Sequence, residues 1–299
     1  MARRSCHGGH WGRPVNGLPD LRGKVAVVTG GASGIGKGIA TQLVAEGMRV
    51  IVADIERDAL DKTAGEIGAI GVPVDVSDAD SVGALARAAQ ELYGTVHVVC
   101  NNAGIGPMAA IKDLTMDDWH WILGVNLYGV IHGVHAFLPI LSANPDGGWI
   151  VNTASMAGLA APPRLGSYAV AKYGVVALTE VLAAELAAEG SRVGVSVLCP
   201  GTVRTNIGTS SRNRPADLPD RGLQDVDIQL EDNPEHRWIG PDDAGAVVVR
   251  AIKRGYLYAL THPDWYPRVQ ERHQAIADAF RQQAADDAAA DAGAAAAQP

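Results

Sequence analysis

Short apolar runs that alternate with longer segments of helical periodicity constrain the fold of this chain most strongly. Five runs have the length of buried strands, namely KVAVVT, RVIVA, HVVC, WIVNTA and VGVSVLC at 24–29, 49–53, 97–100, 149–154 and 193–199. Short strands that are apolar on both faces are typical of a parallel sheet covered by helices on both sides. The alternation therefore predicts an α/β fold with a doubly wound, Rossmann-like parallel sheet.

The segments between these runs have the apolar spacing of amphipathic helices. The predicted helices lie at 34–47, 56–67, 78–93, 116–141, 167–189 and 241–254. We find no uninterrupted apolar stretch of about 20 residues, so we expect no membrane span.

Composition favours one large domain with extensions at both ends. The chain has 299 residues, of which 47% are hydrophobic, which is enough for a sizeable core. We expect a flexible arm at 1–20, a catalytic domain at 21–262, and a C-terminal helix with an alanine-rich tail at 263–299. The net charge of −8 argues against a general attraction to nucleic acid or to anionic membranes.

Cysteine usage and the N-terminal residues bear on location and metal binding. Cys6, Cys100 and Cys199 are far apart in sequence, which favours a reducing, cytoplasmic compartment without disulfides. The basic N-terminal residues are not followed by an apolar run, so we do not expect an export signal. Cys6 could bind a metal together with His7 and His10, but a solvated arm is the favoured interpretation. No metal site is predicted.

A glycine-rich segment follows the first predicted strand and precedes a helix. It reads Thr29-Gly30-Gly31-Ala32-Ser33-Gly34-Ile35-Gly36. Glycines at such a position allow a tight turn and let backbone N–H groups approach a pyrophosphate at a helix N-terminus. The spacing G-x-x-x-G-x-G differs from the common G-x-G-x-x-G, but its placement predicts a dinucleotide-binding loop.

Acidic residues follow the second predicted strand and a further strand expected before the helix predicted at 78–93. Asp54 lies about 20 residues beyond the glycines, where a carboxylate accepts hydrogen bonds from the adenosine ribose and repels a 2′-phosphate. The alternative is that Asp54 caps the following helix. The pair Asp75-Val76 occupies the equivalent position one strand later, where Ser77 and Asp78 make capping a stronger competitor.

Three side chains after the strand at 149–154 have the chemistry of proton transfer. Tyr168 and Lys172 are four residues apart in a predicted helix and therefore share one face. A phenol has a pKa near 10, and a neighbouring ammonium together with an oxidised nicotinamide would favour the phenolate. Ser155 can hydrogen-bond a substrate oxygen while Tyr168 exchanges its proton.

These motifs together resemble the short-chain dehydrogenase/reductase family, in its short single-domain branch. The resemblance runs from about Lys24 to Leu260. Its elements are the glycine segment, Asn101-Asn102-Ala103-Gly104, Asn126 within Val-Asn-Leu-Tyr-Gly, Ser155, Tyr168-x-x-x-Lys172, and Pro200-Gly201-x-Val203-x-Thr205.

The resemblance implies a role for each matching position. Tyr168 is the expected general acid/base, Lys172 lowers its pKa and binds the nicotinamide ribose, and Ser155 polarises the substrate oxygen. Asn126 is expected to hold a helix kink and a water in a proton relay. The implied cofactor-binding residues are Gly30, Ser33, Gly34, Ile35, Gly36, Asp54, Asp75, Val76, Asn102, Ala103, Gly104, Tyr168, Lys172, Pro200, Gly201, Val203 and Thr205.

The sequence departs from the family pattern at 202–239, a long polar segment where the family places its substrate-covering lid. Its arginines, Arg204, Arg212, Arg214 and Arg221, could bind an acidic substrate, but a solvated lid face is the favoured interpretation. The stretches 121–129 and 206–215 resemble bacterial dehydrogenases of lignin-derived aromatic alcohols. His132 and His135 are expected to pack or to lie at an interface.

The resemblance implies an NAD-dependent oxidoreductase that transfers a hydride between a secondary alcohol or ketone and the cofactor. Asp54, and Ser33 where NADP-using members often carry a basic residue, favour NAD over NADP. The alternatives are an NADPH-preferring ketone reductase and a catalytically silent dinucleotide sensor. By analogy with the family we expect a homo-oligomer, a tetramer or dimer formed through the helices at 116–141 and 167–189. A small-molecule substrate is the expected partner.

Overall fold

The computed structural model describes residues 16–216, 218, 222–227, 229 and 237–296. The predicted metal-binding candidates Cys6, His7 and His10, and Arg221 of the predicted lid, lie outside these residues. The chain divides into two compact units, one up to Thr261 and one from His262 onward.

The first unit is built on a seven-stranded sheet in which every pairing is parallel. Its strands are β1 (Val25–Thr29), β2 (Arg49–Asp54), β3 (Ile70–Pro73), β4 (Val98–Asn101), β5 (Gly148–Thr153), β6 (Val193–Cys199) and β7 (Tyr258–Leu260). They are ordered β3-β2-β1-β4-β5-β6-β7. The carboxyl ends of all seven strands therefore meet at one edge. The predicted doubly wound parallel sheet is confirmed.

Helices cover both faces of this sheet. They are α1 (Gly34–Ala45), α2 (Arg57–Ile67), α3 (Ala79–Tyr93), α4 (Met116–Leu123), α5 (Gly129–Ala143), α6 (Gly166–Ala188) and α7 (Pro241–Arg254). Successive residues of a strand point to opposite faces. Ala26 and Val28 of β1 accordingly join a core with α1, α2 and α7, whereas Val27 joins a second core with α3, α5 and α6.

The predicted helix at 116–141 is interrupted. A single π-helical turn, Gly124–Tyr128, separates α4 from α5. Such turns are uncommon and frequently occur at functional sites. The pattern of apolar residues runs through the turn, so sequence periodicity does not reveal it.

The same run, Met116–Ala143, is long and apolar enough by length and composition to cross a membrane, with 39% of its most apolar window buried. The expectation that the chain has no such stretch was therefore wrong. The apolar character of the run has a structural reason in this fold, because Phe137 and Leu141 of α5 are fully buried in the core.

The second unit consists of a short 3-10 helix, Pro263–Trp265, and a long helix α8 (Tyr266–Ala296). Within it the guanidinium carbon of Arg268 lies 4.4 Å from the centroid of the Trp265 ring.

Candidate cofactor and active site

The glycine segment forms a tight loop between β1 and α1, and we call residues 30–36 the phosphate loop. Gly30 and Gly34 have φ of +64° and +51°, which side chains rarely allow. A Cβ atom on Gly36 would lie 2.0 Å from the Gly30 carbonyl oxygen, and one on Gly30 would lie 2.7 Å from Cα of Ala103. The loop therefore depends on glycine at these positions for its shape.

The N-terminus of α1 has no side-chain cap. Ser33 is its N-cap but makes no capping hydrogen bond with its side chain, and the described first turn has no acidic residue. Backbone N–H groups and the helix dipole at such an end attract phosphate groups. Ile35 and Gly36 belong to this first turn, and Ile35 also packs against the core. The loop and helix end fit the pyrophosphate of a dinucleotide.

The loop after β4 braces the phosphate loop from one side. Nδ2 of Asn102 donates to the carbonyl oxygens of Thr29 at 3.0 Å and Gly30 at 3.4 Å. The backbone N–H groups of Asn102 and Ala103 both donate to Oγ1 of Thr29. Asn102 and Ala103 thus fix the end of β1, from which the phosphate loop begins. The role of Thr29 in this contact was not predicted from the sequence.

Asp54 lies at the end of β2 beside the phosphate loop. Its carboxylate accepts hydrogen bonds from the Ala32 N–H and the Glu56 N–H, both at 3.1 Å. Burial raises the pKa of Asp54, and the backbone hydrogen bonds partly oppose the shift. The N-cap of α2 is Glu56 rather than Asp54. Asp54 therefore ties the phosphate loop to the end of β2.

Asp75 and Val76 have a more local arrangement. Oδ1 of Asp75 accepts hydrogen bonds from the Ser77 N–H and hydroxyl, while Asp78 caps α3. The carbonyl oxygen of Val76 lies 2.9 Å from Nδ1 of His132, which agrees with the packing role expected for that histidine. Val76 is buried, and no contact within the described residues by itself marks Asp75 for adenine binding.

Ser155, Tyr168 and Lys172 come together where β5 ends and α6 begins. Tyr168 lies beside Ser155, whose hydroxyl accepts from the Ala157 N–H. Nζ of Lys172 lies 5.5 Å from the centroid of the Tyr168 ring and donates to the carbonyl oxygen of Thr153 at 2.9 Å. Thr153 is a second residue that sequence reasoning missed, since only the fold brings its carbonyl to Lys172.

Burial governs the ionisation of this cluster. It raises the pKa of Tyr168, and the hydrogen bond with Ser155 opposes the shift in part. It lowers the pKa of Lys172 to about 8. Burial also raises the pKa of the nearby thiol of Cys199 to about 12, so that group is neutral at ordinary pH.

The π-helical turn directs Asn126 into the site. Asn126 is fully buried, and its side chain accepts from the Ile105 N–H at 3.0 Å and donates to the Ile105 carbonyl at 2.9 Å. A Cβ on Gly104 would lie 2.8 Å from Oδ1 of Asn126 and 3.6 Å from Nζ of Lys172. Gly104 therefore adjoins both side chains.

The segment after β6 lies across the phosphate loop. The Pro200 carbonyl accepts from the Met156 N–H, and the Gly201 N–H donates to Oγ1 of Thr261. Val203 is buried and bridges to residue 239. A Cβ on Gly34 would lie 3.1 Å from Cγ2 of Thr205, so Thr205 covers the N-terminus of α1.

The favoured expectation for the arginines of the predicted lid was wrong for Arg214. Its side chain is 6% exposed and forms an ion pair at 2.7 Å with Asp118, whose side chain is fully buried. Arg214 also lies over the ring of Trp121 at 5.0 Å. The partners are 96 residues apart in sequence, so no local pattern signals this contact. Arg204 lies over Trp238 at 5.7 Å, and Arg212 pairs with Glu56.

The parallel sheet, the glycine loop at a helix N-terminus and the polar cluster at the strand ends are features of dinucleotide-binding α/β proteins. The family model described as short chain dehydrogenase matches residues 24–216. The chain therefore belongs to the short-chain dehydrogenase/reductase family of oxidoreductases, as the sequence resemblance implied.

Individual relatives agree with this assignment. A short-chain dehydrogenase/reductase from Burkholderia phymatum in complex with NAD has 40% identity and a TM-score of 0.81, over 87% of this chain and 96% of that one. The C alpha-dehydrogenase of Sphingobium sp. strain SYK-6 is 29% identical over 87% of this chain and 88% of its own length. An alcohol dehydrogenase from Thermococcus sibiricus complexed with 5-hydroxy-NADP has 30% identity and a TM-score of 0.64, over 77% and 90% of the two chains.

Proposed function

We propose that this protein is an NAD-dependent oxidoreductase that interconverts a secondary alcohol and a ketone. The observation that carries the proposal is the buried cluster of Ser155, Tyr168 and Lys172, with Gly104 next to Lys172 and Asn126. The cluster combines a proton donor, a hydrogen-bonding hydroxyl and an ammonium at the edge of the sheet where the phosphate loop also lies.

The cofactor site we propose extends along this edge. The phosphate loop would hold the pyrophosphate, Asp54 the adenosine ribose, and Asp75 with Val76 the adenine. Asn102, Ala103 and Gly104 would line the middle of the site. Pro200, Gly201, Val203 and Thr205 would line the nicotinamide end. When bound, NAD supplies the hydride acceptor for alcohol oxidation.

The proton chemistry follows from the environment of Tyr168. A phenol buried as deeply as this one stays protonated, because burial disfavours the charged form. Ser155 orients the substrate oxygen towards the same hydroxyl. The ammonium of Lys172 and the positive charge of the oxidised nicotinamide both favour the phenolate, so Tyr168 accepts the alcohol proton in oxidation and donates it in reduction.

The preference for NAD rests on the carboxylate of Asp54 beside the phosphate loop. A 2′-phosphate placed at the ribose would lie against this carboxylate, and neither Ser33 nor Ile55 offers it a positive charge. The second candidate, an NADPH-preferring ketone reductase, is favoured by the relative complexed with 5-hydroxy-NADP.

The decisive experiment is a panel of secondary alcohols and ketones with each cofactor, followed by nicotinamide absorbance. Aromatic secondary alcohols come first, because 121–129 and 206–215 resemble dehydrogenases of lignin-derived alcohols and because the relative named C alpha-dehydrogenase is similar over most of the chain. Turnover with NAD supports the proposal. Turnover with NADPH alone favours the second candidate, and cofactor binding without any turnover favours a dinucleotide sensor.

The proposal extends to setting and assembly. We expect a cytoplasmic homotetramer or dimer that binds neither nucleic acid nor membranes. Tyr128 and Ile131 on one predicted interface helix and Val170 and Val181 on the other are exposed in the single chain, which supports assembly through these helices. Light scattering of the purified protein measures the state directly.

A further inference from the structure

The segment that follows β6 crosses the edge of the sheet on which the proposed cofactor site lies. In the strand order, β5, β4 and β1 separate β6 from β2. The segment nevertheless contacts the loop after β1, where the hydroxyl of Ser33 donates to Oδ1 of Asn206 at 3.3 Å. It also reaches Glu56 after β2. Residues 205–213, which we call the crossing segment, thus pass over the carboxyl ends of these strands.

The far end of the crossing segment is fastened by Glu56. Nη2 and Nε of Arg212 donate to Oε1 of Glu56 at 2.7 and 3.1 Å, and Nδ2 of Asn213 donates to the same oxygen at 2.9 Å. Nη1 of Arg212 donates to the carbonyl oxygens of Thr209 and Asn206. We call the contact of Arg212 and Asn213 with Glu56 the clasp.

A second ion pair lies two residues further on and joins a different element. Arg214 pairs with Asp118 of α4, and we call this ion pair the anchor. The anchor side chains are 6% and 0% exposed, whereas those of Arg212 and Glu56 are 35% and 30% exposed. Breaking a buried ion pair leaves a charge stranded, but an exposed pair exchanges readily with water. We therefore expect the anchor to stay formed while the clasp opens and closes.

From this asymmetry we propose that Glu56 is a positioning residue of the cofactor site: through Arg212 it holds the crossing segment over the bound dinucleotide and sets the rate at which the cofactor leaves. This inference rests on the proposed function, because it needs NAD to lie beneath the segment. Oγ of Ser210, which is buried in the middle of the segment, accepts from the Gly106 N–H and stays in place. A cofactor between Asp54 and Thr205 leaves when the end of the segment beside Glu56 lifts, and the clasp is the exposed contact that opens there. Arg212 strengthens the acidity of Glu56, whose pKa it holds below the usual range, so the clasp is charged at neutral pH.

The test is the release of NADH from the full-length enzyme, measured by stopped-flow fluorescence after mixing with excess NAD. Glu56→Gln keeps the size of the side chain but removes its charge. We expect release to become about 3- to 10-fold faster, as for loss of a charged pair with several hydrogen bonds. KM for NAD should rise, while the rate of hydride transfer in a single turnover should stay unchanged.

Ionic strength and a double variant separate the clasp from a general loss of structure. Salt screens partly exposed charges, so raising it should speed release from the wild type but not from Glu56→Gln. Arg212→Gln should match Glu56→Gln, and the double variant should add nothing further. The matched control is Glu66→Gln, which removes a similarly exposed ion pair at 2.5 Å with Lys37, away from the crossing segment.

The outcomes distinguish the clasp from the proposed function. NADH binding with equal release rates in the wild type, Glu56→Gln and Glu66→Gln overturns the clasp and leaves the function standing. Failure of NADH to bind overturns both. Trypsin gives a readout without cofactor: cleavage after Arg212 should speed up in Glu56→Gln and not in Glu66→Gln, and the Arg214–Pro215 bond resists the protease. Equal cleavage in all three proteins also contradicts the clasp.

Discussion

The phosphate loop and the crossing segment lie against each other, but different interactions hold them. The phosphate loop is fixed by backbone geometry, since Gly36 leaves no room for a Cβ and Asn102 hydrogen-bonds two carbonyl oxygens of the chain entering the loop. The crossing segment is held by side chains such as Arg212, which pairs with Glu56, and Ser210, which accepts from the Gly106 N–H, and Arg214 fixes the chain directly after it. The comparison teaches that backbone geometry fixes the shape of the phosphate loop, whereas the chain at the end of the crossing segment depends on two ion pairs of unequal burial, the clasp and the anchor.

The buried cluster of Ser155, Tyr168 and Lys172 should carry the chemistry, and its largest test is Tyr168→Phe. The variant keeps the ring and removes the oxygen that exchanges the proton. General acid/base catalysis contributes about 10²- to 10⁴-fold, so kcat should fall at least that far. NADH affinity, measured by fluorescence titration, should change little. A variant that keeps more than a tenth of wild-type turnover would remove Tyr168 from the mechanism.

The unequal strength of anchor and clasp predicts unequal losses of stability. Asp118→Asn removes the partner of a buried arginine and should lower the free energy of unfolding by about 3–5 kcal/mol. Glu56→Gln should lower it by about 1 kcal/mol or less. Urea unfolding of both variants measures the difference.

A control separates the stranded charge from a general loss of packing. Adding Arg214→Met to Asp118→Asn should restore part of the stability, because the uncompensated charge is gone. If Asp118→Asn and Glu56→Gln lower the free energy of unfolding equally, the anchor and the clasp do not differ in strength.

Lys172 makes the free energy of unfolding depend on pH. Its pKa of about 8 in the folded protein lies below the roughly 10.4 of an unfolded chain. Between these values the unfolded state binds more protons, so this lysine makes stability rise with pH across that window, by at most about 3 kcal/mol. Lys172→Met removes the contribution.

The measurement is the difference in unfolding free energy between wild type and Lys172→Met at pH 7 and pH 10. The unfolding free energy of the wild type should rise relative to that of the variant as pH rises. The other titrating groups contribute nearly equally in both proteins, so their effects cancel in the difference. A difference that stays the same at both pH values would mean that burial does not lower the pKa of Lys172.

The smallest expected effect concerns Asp54, which lies beside the phosphate loop. At about 4 Å and an effective dielectric near 20, Asp54 and each phosphate charge repel by roughly 4 kcal/mol before screening. A third of that corresponds to about tenfold, so NAD should exceed NADP by at least that factor in kcat/KM. Asp54→Ala should reduce the ratio of kcat/KM for NAD to that for NADP, and adding Ile55→Arg should reduce this ratio further. Equal use of both cofactors by the wild type would reduce Asp54 to a structural residue.

The alternation of strands and helices, the parallel sheet and the family were predictable, because short buried strands and the spacing of Tyr168 and Lys172 are local patterns. The short strands β3 and β7 were not among the predicted runs. Three further features were not predicted. The π-helical turn at Asn126 interrupts a periodicity that continues through it, and the anchor joins residues 96 positions apart. The carbonyl of Thr153 has no sequence signature at all, since every residue has one. Each depends on packing between elements, which periodicity cannot report.

Asp118 serves two structures with one carboxylate. Its Oδ2 accepts from the N–H and hydroxyl of Thr115, which starts α4, while its Oδ1 accepts from Arg214. Initiation of α4 and attachment of the segment that follows β6 are consequently one cooperative event rather than two. The two regions should gain and lose hydrogen-exchange protection together, even though nearly a hundred residues separate them in the chain.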